Sequence, residues 1–261
     1  MSDEQTPANL ETGPPPEEPQ VPPQAPPPDE YPFWNYFDLV VFLGLACAGL
    51  FGIVLIRSIA VGLHIHFAGG TAATLTAQLI LDVFVLGALA ALFRLEYNRP
   101  FWRSLGWMPA RVPVLWLIIA GFMTALAVMF ASLLIKVPNT SNPMTQLMED
   151  RTSVILVAIF GITLGPIAEE LVFRGFLQPL LVRSMGALVG IFITSLLFGL
   201  LHFTEYGNSW AHVVLITGAG ASFGVIRHVT GSTKSATIMH AAYNALPFFV
   251  LLLQRGYVPH L

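Results

Sequence analysis

The sequence predicts an all-α membrane protein: a polytopic transmembrane helix bundle of about seven spans behind a disordered Pro-rich N-terminal tail. Three observations carry this. Of 261 residues, 55% are hydrophobic and only 10% charged, with a mean hydropathy of +0.70, whereas soluble domains carry about 25% charged residues. Several apolar runs approach the roughly 20 residues that a helix needs to cross a bilayer. The opening segment is of different material altogether. Nothing in the composition is basic enough for nucleic acid. The single cysteine, Cys47, excludes an intrachain disulfide or a Cys-based metal cluster. It lies in the first apolar run and reads as a small core or lipid-facing residue.

Residues 1–31 are acidic and Pro-rich, without Lys or Arg. Such a segment cannot bury enough apolar surface to offset its ordering entropy, so a solvated, partly polyproline II tail is expected. It lacks the basic start and apolar stretch of a signal peptide. Residues 32–261 read as one membrane-embedded helical domain. Its spans are expected at about 37–62, 71–95, 112–135, 153–182, 186–203, 208–228 and 233–254.

Arg94, Arg99, Arg103 and Arg111 surround the connection between the second and third spans. The positive-inside rule makes that connection cytoplasmic, together with the N-terminus and the loops holding Arg183 and Lys234. Lys136 and Arg151 fall on the other side. Trp34, Trp102, Trp107 and Trp116 lie near span ends, as an aromatic belt does. An integral, multi-pass protein of the cell membrane is expected.

Charged groups inside the bilayer are expensive, about 2.5–3.5 kcal/mol each on insertion scales, and usually mark function. "GPIAEELVFRG" places Glu169, Glu170 and Arg174 in the fourth span. Glu170 and Arg174 are four apart on one helix face, acid first, which is the favourable order. They can neutralise each other and brace the helix. Neighbouring residues point about 100° apart, so Glu169 is left over, poised as an acid or base.

"FGLLHF" puts Phe198 and His202 on one face of the fifth span. Counted from the turn near Ser184–Gly186, Glu169 and His202 both lie about 22–26 Å away along antiparallel helices. "MHAAYN" puts His240 and Asn244 on one face of the last span. A buried Asn needs a partner. Helix–helix hydrogen bonding is one reading, and a converging polar site is the other.

These segments resemble the CPBP family, the CAAX-protease and bacteriocin-processing (Abi) membrane proteins. "EELVFRG", "FGLLH" and "HAAYN" look like its motifs EExxxR, FxxxH and HxxxN, and "PFWRSLGW" is similar to a looser upstream segment. The motif core spans about 153–254. The resemblance implies an intramembrane endopeptidase that hydrolyses a peptide bond with a glutamate-activated water. Its substrate would be a peptide or prenylated protein, such as a CAAX-type C-terminus. By the same resemblance Glu169 is the general base, and His202 orients or activates the water. His240 and Asn244 donate to the oxyanion, Glu170 and Arg174 hold the helix, and Phe198 packs under His202. Membrane lipid is an expected partner. No cofactor or metal is expected.

Competing readings exist. Two Glu and two His suit zinc, but no HExxH is present. His64 and His66 read as interfacial, as do His212 and His228. "GASFG" around Ser222 fits GxSxG, yet it lacks a strand–turn–helix context and more simply supplies small residues for helix packing. A non-catalytic adaptor or bacteriocin-immunity protein of the same fold is the alternative function, although intact polar residues in lipid argue against it. A transporter usually shows inverted repeats. Here the polar residues fall only in the second half.

Overall fold

The computed structural model describes residues 31–65, 69–137 and 141–257. The tail expected at 1–31, except Tyr31, lies outside them, as does His66. Asn35 opens the first helix through a reciprocal cap with Asp38, which satisfies two N–H groups that would otherwise lack partners. This helix, α1, runs Tyr36–Gly62 and is followed by α2 (Thr71–Leu95), a one-turn α3 (Phe101–Ser104) and α4 (Val114–Leu134). Tyr97 donates to the same Asp38 carboxylate at 2.6 Å, tying the end of α2 to the start of α1. A short α5 (Pro143–Gln146) leads into the long fourth segment.

That segment is not one regular helix. It comprises α6 (Arg151–Ile162), α7 (Leu164–Glu170), a π-helical stretch (Leu171–Leu177) and α8 (Gln178–Met185). The break falls at Thr163, with φ −121° and ψ −82°. Pro166 explains it, since proline offers no N–H to the carbonyl four residues back and clashes with it. The π stretch begins directly after Glu170 and contains Arg174. Such stretches are rare and frequently sit at functional sites.

Then come α9 (Ala187–Leu201), α10 (Trp210–Thr230) and α11 (Thr233–Gln254). Among the described residues, all regular structure is helical, and six helical segments are long and apolar enough to cross a membrane. The chain is a multi-pass integral membrane protein. The expected count of about seven is altered at the fifth span. α9 has 15 residues, bounded by Gly186 at φ 80° and a turn at His202. At 1.5 Å per residue it reaches about 22 Å, short of a hydrocarbon core of about 30 Å. It still runs antiparallel between α8 and α10, packed on both.

Two ends of the bundle can be told apart by their tethers. At one end, Thr233 N donates to Gly106 O, Ser232 Oγ to Met108 O, and Trp34 Nε1 to Phe176 O. At the other, Thr71 Oγ1 donates to Leu147 O and Met144 N to Glu205 O. Trp34 corrects the belt reading. It is fully buried, packed on Phe93 and Phe176 in the aromatic core, because its indole N–H finds a carbonyl there. Trp102 and Trp116 are exposed as expected, and Cys47 lies on an exposed face.

Candidate active site

The polar residues of the second half meet around His240. Arg174 Nη1 lies 2.9 Å from Glu170 Oε1, and both side chains are 0% exposed. The guanidinium lies over Phe198 at 4.5 Å and Phe223 at 5.5 Å. Arg174 Nη2 donates to Gly220 O at 2.9 Å. One turn further, Gln178 Nε2 donates to Gly224 O, also at 2.9 Å. Gly220 and Gly224 allow this approach. A Cβ on Gly220 would meet Arg174 Nη2 at 3.0 Å, and one on Gly224 would meet Gln178 Oε1 at 2.9 Å. The "GASFG" segment is therefore a small-residue packing face. Ser222 Oγ bonds its own helix at Gly218 O, 3.3 Å away.

His240 is buried, its ring stacked on Phe223 at 4.5 Å. Nδ1 lies 2.9 Å from Glu170 Oε1. An ionised carboxylate only accepts, so Nδ1 carries the proton of this bond. Nε2 then faces Glu169 Oε2 at 3.8 Å. The two adjacent glutamates thus have different surroundings. Glu170 is sealed between Arg174 and His240, whereas the Glu169 side chain is 36% exposed.

His202 caps α9. Its Nδ1 is 2.8 Å from Phe198 O. A carbonyl can only accept, so that nitrogen is the N–H and Nε2 is left to exchange protons. Phe198 joins the two histidines, with its ring 4.7 Å from that of His202 and 5.8 Å from that of His240. Asn244, one turn beyond His240, donates from Nδ2 to Gly161 O at 2.7 Å. The acceptor lies just before the Thr163 break, where regular helix bonding is interrupted. Glu169, Glu170, Arg174 and His240 therefore form one contact group. His202 joins it through Phe198, and Asn244 is anchored at its margin.

Sequence reasoning passed over two acids near this group. Glu205, in the loop after α9, places Oε2 3.9 Å from His202 Nε2. Burial raises its pKa, the neighbouring His202 opposes that, and Glu169 adds to it. Asp82 on α2 accepts from Gln78 Nε2 at 2.8 Å and lies within electrostatic reach of Glu169. Asp82 carried a readable signal, an acid inside an apolar span. Glu205 carried none, because it stands in a polar loop. Among the described residues, no three His, Cys, Asp or Glu are grouped to hold a metal ion.

Residues 151–246 match the family model described as type II CAAX prenyl endopeptidase Rce1-like. No curated protein and no solved structure matches the chain. The matched segment contains Glu169, Glu170, Arg174, Phe198, His202, His240 and Asn244, so the residues of the polar group lie within the part of the chain that is similar to CAAX-type endopeptidases.

Proposed function

We propose that the chain is an intramembrane endopeptidase that hydrolyses a peptide bond with a glutamate-activated water, at a prenylated CAAX-type or other membrane-associated C-terminus. The observation that carries this is the division between the glutamates: Glu170 locked at 0% exposure, and Glu169 open beside the same imidazole. In this reading Glu169 takes a proton from water, and the water oxygen attacks the scissile carbonyl carbon. The tetrahedral oxyanion collapses, the C–N bond breaks, and the proton passes to the leaving amine. His202 orients the water through Nε2, the nitrogen not committed to Phe198.

His240 and Asn244 stabilise the oxyanion. With Nδ1–H held by Glu170, an Nε2–H donor makes the ring cationic. Two glutamates, Arg174 and that ring then balance in charge, which keeps the group tolerable in an apolar surrounding. Asn244 spends one amide N–H on Gly161 and retains a second. The arginine-rich end, with Arg94, Arg99, Arg103 and Arg111, faces the cytoplasm of the cell membrane, together with the N-terminus.

The direct test is incubation of purified protein in detergent with a farnesylated peptide ending in a CAAX sequence. Shortening at the C-terminus, read by mass spectrometry, is expected. An intact peptide under conditions where the protein stays folded would count against this substrate.

A further inference from the structure

Away from the polar site, a cavity of about 240 Å³ opens at the arginine-rich end of the bundle. Its walls include Tyr31, Gln178, Arg183, Arg227 and His228, and among the described residues no carboxylate lines it. Arg227 is only 6% exposed. Its Nε donates to Thr233 Oγ1 at 2.9 Å and its Nη2 to Tyr31 Oη at 2.7 Å. Both partners are neutral. Burial raises the pKa of the Tyr31 phenol, so it keeps its proton despite the guanidinium. Arg227 is thus a buried cation with no carboxylate within 4 Å among the described residues. Burying a charge without a counter-charge costs on the order of several kcal/mol, so an anion is the ligand this position favours.

Arg183 stands on the exposed side of the same cavity, pinned by the carbonyls of Pro32 and Trp34. Those bonds orient its guanidinium but do not neutralise it. His228 is the exposed helical neighbour of Arg227. Two guanidinium forks around one cavity suit a tetrahedral oxyanion, since Arg recognises phosphate with paired N–H groups. The location narrows the source. Seven of the chain's twelve Lys and Arg stand at this end: Arg94, Arg99, Arg103, Arg111, Arg183, Arg227 and Lys234. Basic pockets between transmembrane helices at such a face bind lipid headgroups.

We propose that this cavity is a phosphate-binding site, filled by the headgroup of an anionic phospholipid or by a soluble phosphate. The lipid source is favoured by its position at the basic end of a membrane-embedded bundle. The site is joined to the polar group by Gln178, which lines the cavity and holds Gly224 one turn from the Arg174–Gly220 bond. Occupancy should therefore stabilise the α8–α10 contact. This inference does not depend on peptidase activity.

The test is thermal melting of the full chain in dodecyl maltoside micelles. Dioleoyl phosphatidylglycerol, dioleoyl phosphatidylcholine or inorganic phosphate is titrated in separately. A saturable rise with phosphatidylglycerol and none with phosphatidylcholine is expected. Arg183→Gln and Arg227→Gln should each weaken the midpoint about tenfold or more, the value of one lost charge-assisted contact. If Arg227→Gln fails to fold, Arg183→Gln decides alone. A saturating shift with inorganic phosphate, to which phosphatidylglycerol adds nothing, keeps the phosphate site and assigns it to a soluble ligand. Equal responses to both lipids without a response to phosphate, or an unaltered midpoint in Arg183→Gln, would overturn the site.

Discussion

His240 Nδ1 lies 2.9 Å from Glu170 Oε1, the same oxygen that Arg174 Nη1 approaches at 2.9 Å. Glu170 therefore joins the fourth segment to α11 as well as bracing its own helix. It fixes which imidazole nitrogen faces Glu169.

This arrangement makes Glu170 and Arg174 interdependent. Breaking a buried ion pair from one side costs about 3–5 kcal/mol, because a charge is left uncompensated. Glu170→Ala and Arg174→Ala should each lower melting in detergent by that order. The double variant should cost clearly less than the sum, as contacting partners do. Strict additivity in a double-mutant cycle would contradict the pairing.

Asn244 should contribute to stability independently of chemistry. Its amide satisfies Gly161 O beside the Thr163 break. Asn244 and Gly161 are both half-buried and a lost hydrogen bond costs about 0.5–1.5 kcal/mol net, so Asn244→Ala should melt earlier by that amount. An unchanged melting curve would show that the carbonyl finds another partner.

Glu205 gives a pH-dependent expectation. Its folded pKa is raised, chiefly by burial. A raised carboxyl pKa favours folding below the unfolded value, and that contribution is lost as pH rises through the folded value. Glu205→Gln removes the loss. The variant should melt higher than the parent near pH 7, and the gap should close as pH falls toward 4.5. Parallel curves across that range would contradict the burial of this carboxyl.

The helices were largely legible because lipid permits little besides apolar helix, and the Glu170–Arg174 pair was legible from i, i+4 spacing. Other features were not. The same spacing that pairs Glu170 with Arg174 conceals the π stretch after Glu170, since residue order does not register an extra residue per turn. Trp34 looked like a belt residue because depth along the chain does not reveal that Phe176 O awaits its N–H. Asn244 and Gly161 are 83 positions apart, and only the kink at Thr163 gives that carbonyl a reason to seek a side chain. Arg227 sat at a helix end where a basic residue is ordinary. Its burial without a counter-ion among the described residues appears only in three dimensions.

The central claim is that Glu169, and not its buried neighbour, is the base. Glu169→Gln preserves size and leaves the Glu170–Arg174–His240 contacts in place. Cleavage of a verified prenylated CAAX peptide by this variant, alongside its melting curve, tests the claim most directly. A fall of about 10²–10⁴ in rate, the usual worth of general base catalysis, with melting unchanged is the predicted result. Full activity in Glu169→Gln would contradict it.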